Sequence, residues 1–287
     1  MTAITLSDRG LAYGDGLFET ILLRRGQPVW WSEHFARLSW GCRRLGLPLP
    51  DESDLCARIE AAVAANPVGA WGALKVIYTA GPGTRGYRRS SPIHPTVVIQ
   101  CSSIAAQIDD WRQNGLAIGI QTQGFDGLVP LVGMKHLNRL PQVLTRMAWP
   151  ASMDESLMPD QTGRLVGGTQ SNFFWHEDGQ WFTPPMGGAS IAGTIRALLI
   201  AHLGIRIAPL ATGRLALARA AVMTNAVWGV VPVRTLMGRP LDLALAQALV
   251  SRYESLNARL GGTRIAVTET AWWRVACDEP MMNGGGI

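Results

Sequence analysis

The chain has 287 residues, 47% of them hydrophobic and 16% charged, so it can bury a sizeable core and lacks the composition of a disordered protein. The net charge is +5, but the basic residues are dispersed, and only Lys75 and Lys135 are lysines. This pattern argues against a nucleic-acid-binding stripe and favours a basic cleft for a small anionic substrate.

The four cysteines lie far apart without C-x-x-C spacing, which argues against a zinc site and fits free thiols in a reducing cytoplasm. No signal-peptide pattern and no apolar run of about 20 residues is present, so we expect a cytoplasmic protein that does not enter a membrane.

The first half of the chain alternates strand and helix patterns. Strands are predicted over residues 17–24, 28–31, 73–81 and 96–103, with a hairpin turn between the first two. Apolar residues at helical spacing predict helices over residues 32–46 and 51–66, with Ser32 as a candidate N-cap. Between the last two strands lies a Gly/Pro/Arg-rich loop, residues 81–95, which is long and basic enough to suggest a binding role.

The composition shifts after a possible last strand of the first half, LAIGIQ. We therefore place an interdomain linker at residues 121–126, between a smaller N-terminal α/β domain, residues 1–120, and a larger strand-rich α/β domain, residues 127–287. In the second half, strands are predicted over residues 155–160, 164–176, 180–185 and 222–236, and helices over residues 194–204 and 241–260. The tail, residues 261–287, has no clear periodicity.

Lys135 lies between an apolar approach, residues 128–134, and the run HLNRLPQVLTRM, which has helical character. Positive charge is disfavoured at a helix N-terminus, which weakens the interpretation as an ordinary surface lysine. A lysine partly buried beside apolar residues has a lowered pKa and can act as an amine nucleophile or base, so a Schiff-base lysine is the alternative. His136 and Asn138 are expected to be local packing and hydrogen-bonding partners.

Two segments are candidate anion-binding turns. Gly193 and Thr194 lie where the loop MGGASIAG enters a predicted helix, and VMTNA ends a predicted strand with Thr224 and Asn225. Each pattern is also common in proteins that bind no anion. The histidines lack metal-ligand spacing, and the sequence has neither a G-x-S-x-G element nor a G-x-G-x-x-G element opening a βαβ unit.

Four segments in order resemble the fold type IV pyridoxal-phosphate enzymes of the class IV aminotransferase family. They are SDRGLAYGDGLFETI, GMKHLNRLPQVL, SNFFW and AGTIR, and the resemblance extends from Ser7 to about Val233. The family includes branched-chain and D-amino acid transaminases and 4-amino-4-deoxychorismate lyase. GMKHLNRLPQVL and the loop GPGTRGY are most similar to the lyase. The resemblance implies a two-domain α+β or α/β architecture, pyridoxal 5'-phosphate as cofactor and a homodimer.

The resemblance also implies roles for individual residues. Lys135 corresponds to the Schiff-base lysine and general base, and Arg37 to the helical arginine that contacts the cofactor phosphate. The remaining cofactor-binding positions are Gly193, Thr194, Ile195, Asn225 and Ala226. Thr20 corresponds to a threonine beside the reacting substrate, and Arg85, in GPGTRGY, is expected to contact a substrate carboxylate. Phe18 falls where D-amino acid transaminases carry a tyrosine, which favours the lyase.

Gly167 departs from the family pattern. The family usually has a glutamate there, paired with the pyridine nitrogen of the cofactor, which keeps the ring an effective electron sink. A cofactor without this carboxylate is a poorer sink, which harms transamination more than a lyase reaction driven by aromatisation.

We therefore expect a lyase that converts 4-amino-4-deoxychorismate to 4-aminobenzoate and pyruvate, the branch leading to folate. One alternative is a branched-chain or D-amino acid aminotransferase of the same fold. A second is a degenerate, non-catalytic scaffold that has lost the glutamate.

Overall fold

The computed structural model describes residues 4–121, 131–150 and 152–260. These residues form two compact units. Unit 1 contains the described residues 4–108 and 134–139, and unit 2 contains the described residues 109–121, 131–133, 140–150 and 152–260. The tail at 261–287, which had no predicted structure, lies outside the described residues.

Unit 1 is built on an antiparallel sheet with the order β2-β1-β3-β4 among its described residues. Its elements are α1 (Arg9–Tyr13), β1 (Gly16–Arg24), β2 (Gln27–Pro28), α2 (Trp31–Leu45), α3 (Glu52–Ala65), β3 (Trp71–Thr79) and β4 (Thr96–Ser102). Helix α2 packs on β1, where Leu17, Ile21 and Leu23 are buried. The predicted hairpin, both helices and the two later strands are therefore present.

The start of α2 differs from the prediction. Its N-cap residue is Trp30, which has a φ of +57° and makes no side-chain capping hydrogen bond, so the prediction of a Ser32 N-cap is wrong. The second strand also ends at Pro28 and does not continue to residue 31. The left-handed conformation of Trp30 turns the chain directly after the hairpin, so the aromatic residues expected in the strand begin the helix.

Residues 135–137 form an isolated antiparallel bridge with β1, in which His136 lies opposite Leu17. The Phe18 N–H donates to the Lys135 carbonyl at 2.9 Å, and the Leu137 N–H donates to the Gly16 carbonyl at 3.0 Å. The next helix, α5, begins only at Leu140, so the prediction that Lys135 stands at a helix N-terminus is wrong. The Lys135 carbonyl and the Leu137 N–H are engaged by β1, so this segment is held against the strand and cannot begin a helix there.

Unit 2 contains a mixed sheet with the order β10-β9-β8-β11-β12-β5-β6-β7 in its described part, and β13 pairs with β12. The strands are β5 (Leu116–Ile120), β6 (Glu155–Pro159), β7 (Leu165–Gly168), β8 (Asn172–Glu177), β9 (Gln180–Thr183), β10 (Arg206–Ile207), β11 (Ala220–Asn225), β12 (Gly229–Leu236) and β13 (Arg239–Pro240). The helices are α4 (Gln107–Asn114), which starts at the end of unit 1, α5 (Leu140–Ala148), α6 (Thr194–Leu203) and α7 (Leu243–Leu260), with a 3-10 helix at Thr212–Leu217. The strand predicted over 164–176 is divided into β7 and β8 by a turn.

The boundary between the units differs from the one expected at residue 120. Strand β5 pairs in parallel with β12 and with β6, so residues 109–120 belong to unit 2. Gln121 also donates its N–H to the Leu157 carbonyl in the same unit. The rest of the expected linker, residues 122–126, lies outside the described residues. No helix among the described residues is both long and apolar enough to cross a membrane.

Candidate active site

Lys135 is positioned by β1 in unit 1. Its carbonyl accepts the Phe18 N–H, and its partly buried side chain places Nζ 4.1 Å from the centroid of the Phe18 ring. The Nζ of Lys75 lies 5.4 Å from the same centroid. The two lysines of the sequence, far apart in the chain, therefore meet at one aromatic ring.

The surroundings of Lys135 lower its pKa from 10.5 to about 7. Burial is the largest cause, and the charges of Arg37, Arg139 and Lys75 act in the same direction, whereas Glu19 opposes them. A large share of this amine is therefore neutral near neutral pH. A neutral amine can act as a nucleophile or accept a proton, which is the property expected of Lys135 from the sequence.

Arg37 is buried on α2 and paired with Glu19 of β1. The Arg37 Nε donates to Glu19 Oε1 at 2.8 Å and Nη2 donates to Oε2 at 2.5 Å. Burial would raise the pKa of Glu19, but the charge and hydrogen bonds of Arg37, together with His34, lower it to about 2. The ion pair fixes the guanidinium inside the unit, so Arg37 does not lie on a solvated helix face. Its contact with a cofactor phosphate stays a prediction.

His34 completes this buried cluster. Its Nδ1 lies 2.6 Å from Glu19 Oε2, and because a carboxylate can only accept, Nδ1 carries the proton. Burial lowers the pKa of His34 despite the opposing effect of Glu19. The neutral ring then presents Nε2 as an acceptor, and this buried atom has no hydrogen-bond partner among the described residues.

Thr20 and Lys75 face each other across β1 and β3. Their Cα atoms are direct partners in the antiparallel register, and alternate residues of a strand share a face, so Thr20 lies on the Phe18 side of β1. Lys75 is exposed on this face. No sequence motif assigns a role to Lys75. The signal that would have found it is a lone lysine in the β-rich run directly before the GPGTRGY loop.

Arg85 lies in a loop whose backbone is held by Arg9 and Tyr13. Arg9 donates from Nη1 to the Gly86 carbonyl at 2.9 Å and from Nη2 to the Tyr87 carbonyl at 2.8 Å. The Gly86 N–H donates to the Tyr13 hydroxyl at 3.0 Å. The Arg85 side chain is exposed and makes no hydrogen bond or ion pair with any residue that the structure describes. This arrangement leaves an exposed cation on an anchored loop.

In unit 2, the predicted helix start at Gly193–Thr194 is present. Gly193 is the N-cap of α6 and provides no side-chain cap, so the first N–H groups of the helix have no capping partner from that residue. Thr194 Oγ1 on α6 and Thr224 Oγ1 on β11 are both buried without a hydrogen-bond partner among the described residues, and α6 packs on β11. Buried hydroxyls without partners are costly, and a phosphate would supply acceptors to both. These residues therefore fit the phosphate of the cofactor.

The side chain of Asn225 holds the second predicted turn from within. Its Oδ1 accepts the N–H groups of Val227 at 3.0 Å and Trp228 at 2.8 Å, and its Nδ2 donates to the Gln170 carbonyl at 3.3 Å. The Asn225 side chain is therefore engaged in shaping the turn, and the backbone at 225 and Ala226 is the part left to meet an anion. The Ile195 side chain belongs to the core, so only its helix-start backbone is left to meet an anion.

Gly167 lies opposite Met158 on β6 and has a φ of +150°, a conformation that favours glycine. A Cβ atom there would lie 3.1 Å from the Ser171 carbonyl oxygen. The buried carboxylate of Glu155 on β6 is nearby. Glu155 lies on the same face of β6 as Leu157, which pairs with Gly168. Its side chain is therefore on the opposite side of the sheet from the Gly167 position. Thr194 and Thr224 thus fit the phosphate of the cofactor, whereas Gly167 does not provide the usual carboxylate for its ring nitrogen.

Comparison with known proteins gives several matches over most of the chain. Residues 16–236 match the family model described as amino-transferase class IV. An aminodeoxychorismate lyase from Vibrio harveyi is 30% identical over 243 residues, which cover 81% of this chain and 87% of that protein. The crystal structure of 4-amino-4-deoxychorismate lyase from Pseudomonas aeruginosa aligns with a TM-score of 0.82 and 34% identity, covering 89% of this chain and 96% of the other. A D-alanine aminotransferase from Bacillus licheniformis is 26% identical over 196 residues, covering 68% and 67% of the two chains.

Proposed function

Because the chain belongs to the class IV aminotransferase family, whose members depend on pyridoxal 5'-phosphate, we propose that it is an aminodeoxychorismate lyase. The solved relatives confirm the fold type IV architecture that the sequence resemblance implied. The proposed reaction converts 4-amino-4-deoxychorismate to 4-aminobenzoate and pyruvate, a step toward folate. The observation that carries the proposal is Lys135, with a pKa of about 7 and its amine against the Phe18 ring.

Lys135 has two successive tasks in this proposal. Its amine would hold the cofactor covalently and, once the substrate amine has taken its place, would be free as a base. When bound, pyridoxal phosphate supplies an electron sink next to the substrate nitrogen. Lys135 then accepts the proton from the ring carbon that bears the amino group, and the bond to the enolpyruvyl oxygen breaks as the ring becomes aromatic. The released enolpyruvate takes up a proton to become pyruvate.

The substrate carries two carboxylates, and Lys75 and Arg85 are cations of unit 1 that make no ion pair with any described residue. Lys75 is exposed beside Phe18 and opposite Thr20, and Arg85 is exposed on its anchored loop. We propose that these side chains bind the two carboxylates, because charge-assisted hydrogen bonds to carboxylates are strong and orient the ligand. The Thr20 hydroxyl, on the same face, is the proposed donor beside the reacting part of the substrate.

The aminotransferase alternative is disfavoured by two positions. Phe18 has no hydroxyl, and Gly167 provides no carboxylate for the ring nitrogen. A non-catalytic scaffold is disfavoured because the chain retains buried polar groups that lower the stability of the folded state. Thr194 and Thr224 keep buried hydroxyls that have no hydrogen-bond partner in the described part of the chain, and Lys135 keeps an amine with a lowered pKa. Neither feature benefits a protein that binds no cofactor.

The test combines a spectrum with two assays. Purified protein with added pyridoxal phosphate is expected to show a visible absorption band that borohydride abolishes, and Lys135→Ala is expected to lack this band. The wild type is expected to form 4-aminobenzoate and pyruvate faster than it transaminates D-alanine or branched-chain amino acids. Transamination without 4-aminobenzoate would contradict the lyase proposal, and absence of the band in the wild type would support the scaffold.

We also propose that the enzyme is a homodimer in the cytoplasm. Leu6, Leu11 and Tyr87 of unit 1 are 92%, 62% and 88% exposed, and large exposed apolar side chains favour association. The described cysteines Cys42, Cys56 and Cys101 form no disulfide bond, which fits a reducing compartment. Sedimentation of the holoenzyme is expected to give the mass of two chains, and a monomer at assay concentrations would contradict the dimer.

A further inference from the structure

Glu155, at the start of β6, is fully buried, with 0% of its surface exposed. Its Oε1 accepts from the Thr169 N–H at 3.1 Å, the Thr169 hydroxyl at 2.6 Å and the Ser156 N–H at 3.0 Å. Its Oε2 accepts from the Ser171 hydroxyl at 2.8 Å and more weakly from the Gln170 N–H at 3.4 Å. One buried carboxylate therefore gathers nearly all its donors from the turn that joins β7 to β8.

The turn is packed closely around this carboxylate. A Cβ on Gly168 would lie 3.0 Å from Glu155 Cδ and 2.3 Å from Ser171 Oγ, so no larger residue fits there without movement. The Gly168 N–H also donates to the Ser171 carbonyl at 2.8 Å, which closes the turn. The position of Ser171 is thus fixed from two sides.

The turn also positions the start of α6, through contacts of the residue that follows Ser171. Asn172 follows Ser171 directly, and its Nδ2 donates to the Ile191 carbonyl at 2.9 Å, two residues before Gly193. Gly193 approaches Asn172 so closely that a Cβ would lie 2.0 Å from Asn172 Oδ1. A displacement of Asn172 would therefore displace the N-cap of the helix whose start fits the phosphate.

The same turn also supports the second phosphate turn. The Gln170 carbonyl accepts from Asn225 Nδ2, and Asn225 Oδ1 in turn holds the N–H groups of Val227 and Trp228. Gln170 and Asn172 thus lie one residue on each side of Ser171, and each contacts a different phosphate turn. Each candidate phosphate turn is therefore linked to Glu155 by two successive hydrogen bonds, one within the turn 168–171 and one from Gln170 or Asn172 onward.

We propose that Glu155 is a positioning residue for the cofactor phosphate, acting through the turn 168–171 on the helix start at 193–195 and on the turn at 225–228. The proposal rests on the proposed cofactor site and concerns how this chain holds that cofactor. Its importance is increased by Gly167, because without a carboxylate at the ring nitrogen the phosphate end must carry more of the binding. Removing the charge of Glu155 would leave clustered hydroxyl and amide donors facing a weaker acceptor, so the turn would shift.

The experiment measures dissociation constants of the apoprotein, full chain, for pyridoxal phosphate and for pyridoxal, which lacks the phosphate. For Glu155→Gln we expect pyridoxal phosphate to bind about tenfold more weakly, and pyridoxal to change by less than about twofold. The matched control is Glu177→Gln on β8. Glu177 is also a buried carboxylate, but it accepts from Trp175 Nε1 and Arg214 Nε, and not from either phosphate turn. We expect it to leave the ratio of the two constants unchanged.

Three results would overturn the proposal. Equal weakening of both ligands by Glu155→Gln would mean a general structural role, and so would the same change of ratio in Glu177→Gln. If Glu155→Gln does not fold, Ser171→Ala carries the test, since it deletes one donor to Oε2 and adds no atoms. An unchanged ratio in Ser171→Ala would then refute the proposal, whereas a shift of about threefold toward weaker phosphate binding supports it. A wild type that binds neither ligand would refute the proposed function itself, before any variant is compared.

Discussion

Replacing Lys135 with methionine is expected to stabilise the apoprotein at neutral pH while removing the proposed attachment point of the cofactor. Methionine keeps most of the side-chain volume and removes the amine. In the wild type, burial and the charge of Arg37 make the protonated amine unfavourable in the folded state. A residue that folding penalises in this way is expected at a functional site and is not expected in a purely structural one.

The magnitude follows from the pKa. A pKa lowered from 10.5 to about 7 corresponds to roughly 5 kcal/mol between the two protonation states. Lys135 is only partly buried, so solvent screening reduces this figure, and we expect Lys135→Met to raise the free energy of unfolding by roughly 2–3 kcal/mol. The unfolded chain holds the proton more tightly than the folded one. The penalty is therefore fully present below the folded pKa of about 7 and is relieved as the pH rises toward 10.5.

The assay is urea denaturation of the apoproteins between about pH 6 and about pH 9. The difference between Lys135→Met and the wild type is expected to be largest near the acid end and to shrink as the pH rises. Lys75→Met is the matched control, because this second lysine contacts the same Phe18 ring but is exposed, and we expect a change within about 0.5 kcal/mol. A Lys135→Met variant that is no more stable than the wild type at about pH 6, or a stability difference that is independent of pH, would contradict a penalty from the buried amine.

Three further predictions concern neighbouring positions. Lys75→Met is expected to raise KM for the dicarboxylate substrate about tenfold and to change kcat by less than about twofold, and an unchanged KM in steady-state kinetics would contradict its proposed contact. Gly167→Glu is expected to lower the free energy of unfolding by about 1–3 kcal/mol because of its φ of +150°, and to gain transamination while keeping lyase activity. Gly167→Ala should show the destabilisation without the transamination. If Gly167→Glu transaminates no faster than Gly167→Ala, the proposed role of a carboxylate at this position is wrong. Glu19→Gln is expected to cost about 3–5 kcal/mol in urea denaturation, because it leaves Arg37 buried without its counter-charge. Since the Glu19 pKa is lowered from 4.5 to about 2, its contribution is present above pH 4.5 and lost as the pH falls toward 2, so the variant should lose less stability over that window.

Local sequence patterns were sufficient for most of the secondary structure. The helices α2, α3, α6 and α7 have apolar residues at helical spacing, and the strand pair β11–β12 is separated by a recognisable turn. The apolar approach to Lys135 also indicated a lysine with a lowered pKa, and the pKa of about 7 agrees. These features depend on residues close together in the chain, and such residues are visible in a window of sequence.

Features that depend on long-range pairing were not predictable in this way. Lys135 was expected at a helix N-terminus, but its backbone pairs with β1, which lies far earlier in the chain. Strand β5 was expected to close the first domain, but it pairs with β12, which lies far later. Glu155 is not recognisable as a site residue in the sequence, because its contacts depend on the register of β6 with β7 and on a turn that periodicity does not reveal.

Gly167 shows how the structure changes the meaning of a sequence departure. In the sequence it is a missing carboxylate, which by itself fits decay of an active site as well as adaptation to a different reaction. In the structure the backbone at this position has a φ of +150°, and Glu155 secures the adjoining turn from the other side of the strand. The segment has therefore adapted to glycine while the turns that fit the phosphate keep their supports. A site that had merely decayed would have no reason to keep a buried carboxylate, a paired Arg37 and a lysine with a pKa near 7. The combination favours a working enzyme whose reaction needs less from the ring nitrogen than transamination does.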